Sequence, residues 1–409
     1  MNSLLKIAWR NIWRNRRRTT ITIVSVVLSV FLTLLMRSVQ LGSYENMIDA
    51  GIRQVGNMQL QGQGYWDSHS INDALVYDST LKAKVESIRQ IRGTAPKLES
   101  FALGSYGDQT KGVFVTGMVP EQQDSILHLS RRLIKGVYPT SNDNCILVAT
   151  RLASFFGVDV GDTLVILGQG YQGITAAGKF PVGGIIKLLS PVENGTMIFM
   201  PIKCAARLFS PYEPNLVTSV AVLTGNISQT KKVEEQLKTA IMDHRQVTIM
   251  RWDQMLEIML QQIKADNAGG VIVAGILYII IAMGIFGTVL MGTLERRKEF
   301  SILISIGMHR TKLALVVMME SLMTGISGVA TGIVLTLPII RYYHLHPIPM
   351  SGEMGDMMAQ YNIEPVMPFS DGIQMFVNQG IVVFILSVLA ALYPVATVFA
   401  LKIQDAIRS

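Results

Sequence analysis

The chain has 409 residues and a formal net charge of +7, and 49% of its side chains are hydrophobic. The segment from Arg37 to Asn267 holds 22 basic and 21 acidic side chains, so the positive excess belongs to the flanks of the apolar runs. The charge therefore gives no support to nucleic-acid binding, and it points instead to loops held on one side of a membrane.

In chain order, the first feature is a basic amphipathic segment. Trp9 and Trp13 stand one helical turn apart, with Leu5, Ala8 and Ile12 nearby and arginines between them. Such a helix lies in a headgroup layer with its arginines on lipid phosphate, or simply continues the first span. The apolar run Thr19 to Met36 follows. It is too long for a signal peptide, and Leu34, Leu35, Met36 and Arg37 offer no small-residue cleavage site, so an uncleaved anchor is expected. Three further runs, Ala268 to Thr293, Leu313 to Ile340 and Gly380 to Leu401, are each long enough to cross a bilayer.

The basic residues set the orientation. Lys6, Arg10, Arg14, Arg16, Arg17 and Arg18 precede the first run, and Arg296, Arg297, Lys298, Arg310 and Lys312 lie between the second and third. By the positive-inside rule both segments are cytoplasmic. The loop from Arg341 to Gln379 has one basic residue against Glu353, Asp356, Glu364 and Asp371, as a translocated loop should. The expected fold class is a membrane α-helical protein with four transmembrane helices and a large α+β extracytoplasmic domain inserted between helices 1 and 2. The segments are 1–18 cytoplasmic, 19–36 first span, 37–267 external, 268–293 second span, 294–312 cytoplasmic turn, 313–340 third span, 341–379 external loop, 380–401 fourth span and 402–409 cytoplasmic tail.

Inside the insertion, period and breakers predict strands over Asn57 to Gln61, Lys97 to Tyr106, Val217 to Leu223 and Val247 to Met250, with helices over Thr80 to Ile91 and Ser228 to Asp243. Two strand–helix–strand units at opposite ends can pair into one ferredoxin-like layer. The stretch between them, with strands over Gly112 to Met118, Cys145 to Ala149, Thr163 to Leu167, Phe180 to Leu188 and Met197 to Met200, would then form a second subdomain carried further out. Gly168 to Lys179 (GQGYQGITAAGK) reads as a long projecting hairpin tip, a partner-contacting loop or a mobile connection.

Gly173, Gly178 and Lys179 have the spacing of a phosphate-binding loop, but Phe180 stands where a Ser or Thr must supply a hydroxyl to magnesium, so the match is coincidental. No Ser-His-Asp set or paired-carboxylate site stands out, so no enzyme is expected. Cys145 and Cys204 both fall in the insertion, where the compartment permits one disulfide without demanding it, and each has the apolar surroundings of a free buried thiol. Neither their spacing nor any His pair suggests a metal site. From Arg251 to Asn267, Met255, Leu256, Met259 and Ile263 recur at helical spacing, which predicts one long helix running into the second span, as a transmitter of movement or a fixed stalk.

The run TLERRKEFSILISIGMHRTK, Thr293 to Lys312, has a charged first turn, then an apolar patch of Phe300, Leu303, Ile304 and Ile306 before Gly307. It reads either as an amphipathic helix at the membrane surface or as a ridge that docks in a groove of a cytosolic partner. Glu320, about two helical turns into the third run, reads as a carboxylate paired with a neighbouring helix or one snorkelling to the interface.

The same run resembles the ERR-x-E-x-x-x-L-x-x-x-G segment of FtsX/MacB-type ABC transporter permeases, with Glu295, Arg296, Arg297, Glu299, Leu303 and Gly307 on the matching positions. The opening Ile7 to Thr19, Glu320 itself, and Tyr393 with Pro394 to Arg408 are similar to family segments, except that Gln404 replaces a common proline. Ile146 to Leu164, with Leu152, Ala153, Gly157, Gly161 and Asp162, resembles an external-domain signature, and Gly117 to Pro120 and Phe199 to Ile202 also fit.

The resemblance implies a non-catalytic permease without a cofactor of its own, in the bacterial inner membrane with both termini cytoplasmic. It implies a second permease subunit, identical or paralogous, and a separate cytosolic ABC ATPase dimer that carries ATP and magnesium. In that family the six matched residues belong to the coupling helix that docks on the ATPase. A large external domain without a fused ATPase is most similar to lipoprotein-releasing permeases of the LolC/LolE type, as is the stretch GNMQLQGQGYWD. That group implies a periplasmic lipoprotein carrier contacted at the hairpin, here through Tyr171 and Gln172. It also implies lateral access for lipid chains past Phe31, Leu34 and Leu35 of the first span and Val271, Ile272 and Ile276 of the second, residues that otherwise face lipid or the other subunit. A MacB-like exporter of peptides or toxins and a signalling permease regulating a cell-wall hydrolase are the alternatives.

Overall fold

The computed structural model describes residues 2–14, 16–244, 246–360 and 363–400. The side chains of Leu5 and Arg18, and the tail from Leu401 onward with Gln404, lie outside the described residues. The chain divides into two compact units, one of Met1–Glu45, Gln262–Pro349 and Val366–Ser409, the other of Asn46–Gln261 and Met350–Pro365.

The first unit is helical. Four helices, Thr19–Val55, Glu257–Glu295, Arg310–Leu345 and Ile373–Ala400, are long and apolar enough to cross a membrane. The first helix continues well past the apolar run that ends at Met36, because neither Pro nor a glycine pair interrupts it before Gly56. Gly56 closes it in the left-handed region (φ 84°), its N–H donating to the Ile52 carbonyl at 2.7 Å. The expected uninterrupted helix from Arg251 breaks instead: a short helix Trp252–Met255 ends at Leu256, and the long helix starts at Glu257.

Packing within this unit depends on small residues. Val26, Val30 and Leu34 recur every four positions on one face of the first helix and are buried. Gly328 and Gly332 of the third helix oppose them so closely that an added Cβ would meet Val26 at 2.7 Å and Val30 at 2.8 Å. Without a strong hydrophobic drive inside lipid, such close approach is what holds helices together. At the outer end of this unit Arg37 donates to Asn267 at 2.9 Å, and Tyr44 hydrogen-bonds Asp266.

The second unit holds a ten-stranded sheet. Its strands are β1 (Met58–Gly62), β2 (Ile91–Tyr106), β3 (Gln109–Met118), β4 (Leu133–Gly136), β5 (Ile146–Ala149), β6 (Thr163–Gln169), β7 (Thr175–Ile186), β8 (Met197–Pro201), β9 (Ser219–Thr224) and β10 (Val247–Arg251). The order is β10-β1-β9-β2-β3-β8-β5-β7-β4, with β6 paired to both β2 and β7. The two strand–helix–strand units do pair: β10, β1, β9 and β2 are consecutive and antiparallel. Helices Ser79–Glu86 and Thr230–Ala240 cover one face through Leu81, Val85, Val233 and Leu237, packed on Met58, Leu60, Val220 and Val222. The middle stretch shares this sheet with the two end units and packs a core of its own around Leu152, Phe156, Ile166 and Phe209. β2 is 16 residues long, pairs with β9 near its start and with β3 and β6 further along, and so carries a single sheet through both halves.

The family-like stretch Ile146 to Leu164 has a local reason for each small residue. Helix Thr150–Phe156 buries Leu152 and Ala153, Gly157 caps it in the left-handed region (φ 69°), and Asp162 accepts from the Asp159 N–H at 2.7 Å to hold the turn into β6. Gly178 and Lys179 lie within β7, opposite Ile166 and Val165, with no helix after them, which disposes of the phosphate-loop spacing. Cys204 is 1% exposed and Cys145 half-buried; both thiols are free, and burial pushes the Cys145 thiol up.

One ion cluster secures β10 to the covering helix. Glu234, 6% exposed, accepts from Arg251 at 2.6 Å and from Lys238 at 2.7 Å, and Arg251 also bonds Asp253 at 2.8 Å. Burial pushes the Glu234 carboxyl up, but the hydrogen bonds from Lys238 and Arg251 outweigh it and leave the acid below its ordinary value. The bonds from Arg251 likewise lower Asp253. Both acids have depressed folded pKa values, so their contribution is present above the unfolded carboxylate pKa of about 4 and is lost as pH falls through the folded values. Arg251→Ala is expected to cost about 2 kcal/mol at neutral pH. The loss should shrink in acid unfolding curves of the full chain below about pH 4. A deficit that does not change as pH falls well below about 4 would show that it does not come from the ionised Glu234 and Asp253.

Candidate functional site

The segment between the second and third spans is built around a helix end. Helix Glu257–Glu295 stops at Arg296, a nine-residue helix Arg297–Ser305 follows, and Gly307 (φ 103°) reverses the chain with its N–H on the Ile304 carbonyl at 3.0 Å. No atom stands within 4 Å of where a Gly307 Cβ would be, so the backbone conformation rather than space selects glycine. His309 then caps the third-span helix Arg310–Leu345.

The short helix is two-faced. Phe300 is 2% exposed and packs with Leu313, Ala314, Val317 and Val398. Ile302, Leu303 and Ile306 point outward at 54%, 37% and 79% exposure, next to the exposed charges Glu295, Arg297 and Lys298. The apolar patch read from the sequence is therefore split: Phe300, with Ile304 half-buried, fixes the helix to its own unit, while Leu303 and Ile306 together with Ile302 form the free ridge.

The charges divide in the same way. Arg296 is buried, and its Nη1 donates to both oxygens of Glu320 at 2.7 and 2.8 Å, while its guanidinium lies 5.2 Å from the Phe300 ring centre. Its Nε also faces Glu299 at 3.4 Å, and Glu299 in turn accepts from Arg14, at the end of helix Asn2–Arg14, at 2.6 Å. An alternating chain Arg14–Glu299–Arg296–Glu320 thus joins the amphipathic segment, the short helix and the third span. Glu320 is paired and does not reach for solvent. Of the six residues that match the coupling segment, Arg296 and Glu299 are engaged within the chain, Gly307 shapes the turn, and Glu295, Arg297 and Leu303 are on the outer face. Spacing alone could not reveal Arg14 as a member of this chain, because it lies 285 positions from Glu299.

The other residues singled out from sequence lie elsewhere. The ladder between β6 and β7 runs to Gln169 opposite Thr175, which leaves Gly170 to Ile174 as the hairpin tip. Tyr171 packs against the core of its own unit, the Gln172 N–H donates to Asn72 Oδ1 at 2.7 Å, and the backbone of Phe209 lies against Gly170. The tip is thus tied to its own domain through the Tyr171 ring and the Gln172 backbone, with the Gln172 side chain exposed; close approach explains Gly168 and Gly170, whereas Gly173 is selected by its backbone (φ 82°). On the first span, Leu34 is 0% exposed inside the bundle, Phe31 and Leu35 are half-buried, and the outward stripe is Leu28, Leu32 and Met36. Leu34 is drawn inward by the same i, i+4 row that meets Gly328 and Gly332. Val271, Ile272 and Ile276 of the second span are exposed at 58%, 67% and 56%. Among the described residues no group of three or more His, Cys, Asp or Glu side chains is placed to hold a metal ion.

Four apolar helices, an inserted α+β unit and a two-faced helix between the second and third spans define a membrane permease with an extracytoplasmic domain. The sequence matches the MacB-like periplasmic core domain over residues 19–240, more than half of the chain, and the FtsX-like permease C-terminal family over residues 271–403. The chain belongs to the FtsX/MacB family of ABC transporter permeases. It is similar to an uncharacterized ABC transporter permease of Methanocaldococcus jannaschii, 23% identical across 82% of this chain and 83% of that one. It is also similar to the lipoprotein-releasing system transmembrane protein LolC of Xylella fastidiosa, 26% identical across 63% of each chain. Among solved structures, the periplasmic region of MacB from Actinobacillus actinomycetemcomitans matches 51% of this chain and 95% of that one, with 16% identity and a TM-score of 0.37.

Proposed function

We propose that this permease couples ATP hydrolysis on a separate cytosolic ABC ATPase dimer, which carries the ATP and magnesium, to release of lipoproteins from the inner membrane. The observation that carries the coupling is the short helix Arg297–Ser305, whose inner face is fixed by Phe300 and the Arg296–Glu320 pair while Ile302, Leu303 and Ile306 stay outside. An exposed apolar ridge flanked by charges suits docking into a groove of a partner. When the ATPases close, movement of the ridge passes through Arg296 into the third span and through Glu299 and Arg14 into the N-terminal segment.

A second subunit, identical or paralogous, is expected against the second span, since only 6% of its most apolar window is buried by this chain, against 28–33% for the others. Lipid chains would reach that surface past Ile272 and Ile276, with Leu32 and Met36 rather than Leu34 on the first span. The relatives in the lipoprotein-releasing system support this cargo, and a soluble lipoprotein carrier is the expected acceptor. Both termini and the short helix are assigned to the cytoplasm by the positive-inside rule.

Photocrosslinkers at Ile272 and Leu32 test the cargo. They should capture a lipid-modified protein in the nucleotide-free complex and lose it after ATP is added. Labelling of bulk phospholipid alone, indifferent to ATP, would reject lipoprotein release.

A further inference from the structure

The face of the sheet turned away from helices Ser79–Glu86 and Thr230–Ala240 carries buried polar side chains. In the strand register Gln61 stands opposite Ser219, Ser219 opposite Lys97, and Glu99 opposite Thr116, so all of them share that face. Gln61 is 1% exposed and Lys97 9%, and they line a cavity of about 540 Å³, within the range of small-ligand pockets. The floor is partly satisfied from within: the Gln61 amide donates to Gln59 Oε1, and the Gln59 amide to the Val55 carbonyl, both at 2.7 Å.

Three groups on the lining remain unmatched: Lys97, Gln123 and Asn46, whose buried Nδ2 has no acceptor among the described residues. The Lys97 ammonium has a single hydrogen bond, 3.3 Å to the Gln54 carbonyl, and no carboxylate within 4.0 Å among the described residues. Gln123, 2% exposed, has no partner for its Oε1 among the described residues. A buried cation without an anion and a buried acceptor without a donor are both costly, and one molecule that supplies an anion and an N–H settles both.

We propose that this cavity binds a short stretch of acidic peptide, with a carboxylate on Lys97 and a backbone N–H donated to Gln123 Oε1. Arg53, Arg131 and Arg132, also on the lining, supply attraction for an acidic chain. Glu99, Glu193 and Glu364 on the same lining oppose a concentrated negative charge, so a phosphate dianion, with two charges at one point, suits the cavity less well than a peptide that spreads its carboxylates and N–H groups along it. The site is independent of the coupling surface and of the identity of the cargo, so it stands or falls separately from the function proposed above.

The test is binding of a fluorescein-labelled Ser-Asp-Glu-Asn tetrapeptide to the full-length protein in detergent. Saturable binding should weaken at least tenfold in Lys97→Met, in Gln123→Glu, which keeps the side-chain size but adds a repelling charge, and with a peptide whose side-chain carboxylates are amidated. Lys187→Met, at an exposed position, should bind as the parent does. If Lys97→Met does not fold, Gln123→Glu and the amidated peptide decide. Unchanged binding by folded Lys97→Met or Gln123→Glu, equal binding of the amidated peptide, or displacement of the peptide by equimolar inorganic phosphate would overturn the proposal.

Discussion

Glu320→Leu is expected to destabilise the protein by about 3–5 kcal/mol, since it leaves Arg296 buried with only the 3.4 Å contact to Glu299. Arg296 is 8% and Glu320 15% exposed at the side chain, so neither charge can turn to water for relief. Glu320→Gln keeps two polar atoms in place of the carboxylate and should lose much less. The double variant Arg296→Met with Glu320→Leu removes both charges and should recover most of the stability, because a buried pair is costly to split but often replaceable as a whole. Thermal midpoints of the detergent-purified protein give the comparison. A double variant no better than Glu320→Leu alone would mean that the two side chains do not act as a pair.

Much of the frame was legible in the sequence. Four apolar runs locate the spans because hydrocarbon leaves no other means of satisfying a crossing backbone than a helix of sufficient length. The outer strand–helix–strand units are legible for a related reason: Met58 and Leu60, or Val220 and Val222, alternate toward helices whose apolar spacing is equally plain. What was not legible depends on rotation and on partners distant in sequence. Leu34 and Leu32 are equally apolar, but Leu34 follows Val26 and Val30 on the face that seats on Gly328 and Gly332, whereas Leu32 lies on the outward face. The hairpin tip has the composition of a free loop, yet Asn72, a hundred positions away, holds Gln172. Within the short helix, Arg296 and Arg297 look alike in sequence, but one sits at the turn facing the third span and the other one step further round, in solvent.

Placing a charge on the free ridge should have the largest effect on assembly with the ATPase. Ile302→Asp with Leu303→Asp puts two carboxylates into a contact that would otherwise bury apolar surface, and each must be desolvated without a partner. The loss of the buried aliphatic groups adds about 1.5–3 kcal/mol per side chain. Together these changes should lower ATPase association by at least a hundredfold. The fold should be unaffected, since both side chains already lie outside the core of Phe300, Leu313 and Val317. Glu295→Ala and Arg297→Ala, on the same face, should each weaken association by a smaller factor, because exposed charge pairs contribute up to about 1 kcal/mol. An aspartate variant that retains the ATPase at full stoichiometry would place the docking surface elsewhere.

A photoreactive side chain at Ile306 tests the central claim most directly, because this residue is 79% exposed at the end of the ridge and Phe300, five positions after Glu295, is 2% exposed and serves as the internal control. If the short helix is the coupling element, irradiation of the assembled complex should join position 306 to the ATPase subunit and position 300 only to its own chain, with the 306 crosslink changing in yield when ATP is added. Crosslinking of position 306 to lipid alone, at the same yield with and without the ATPase, would show that the helix lies on the membrane surface and does not carry force from the ATPase.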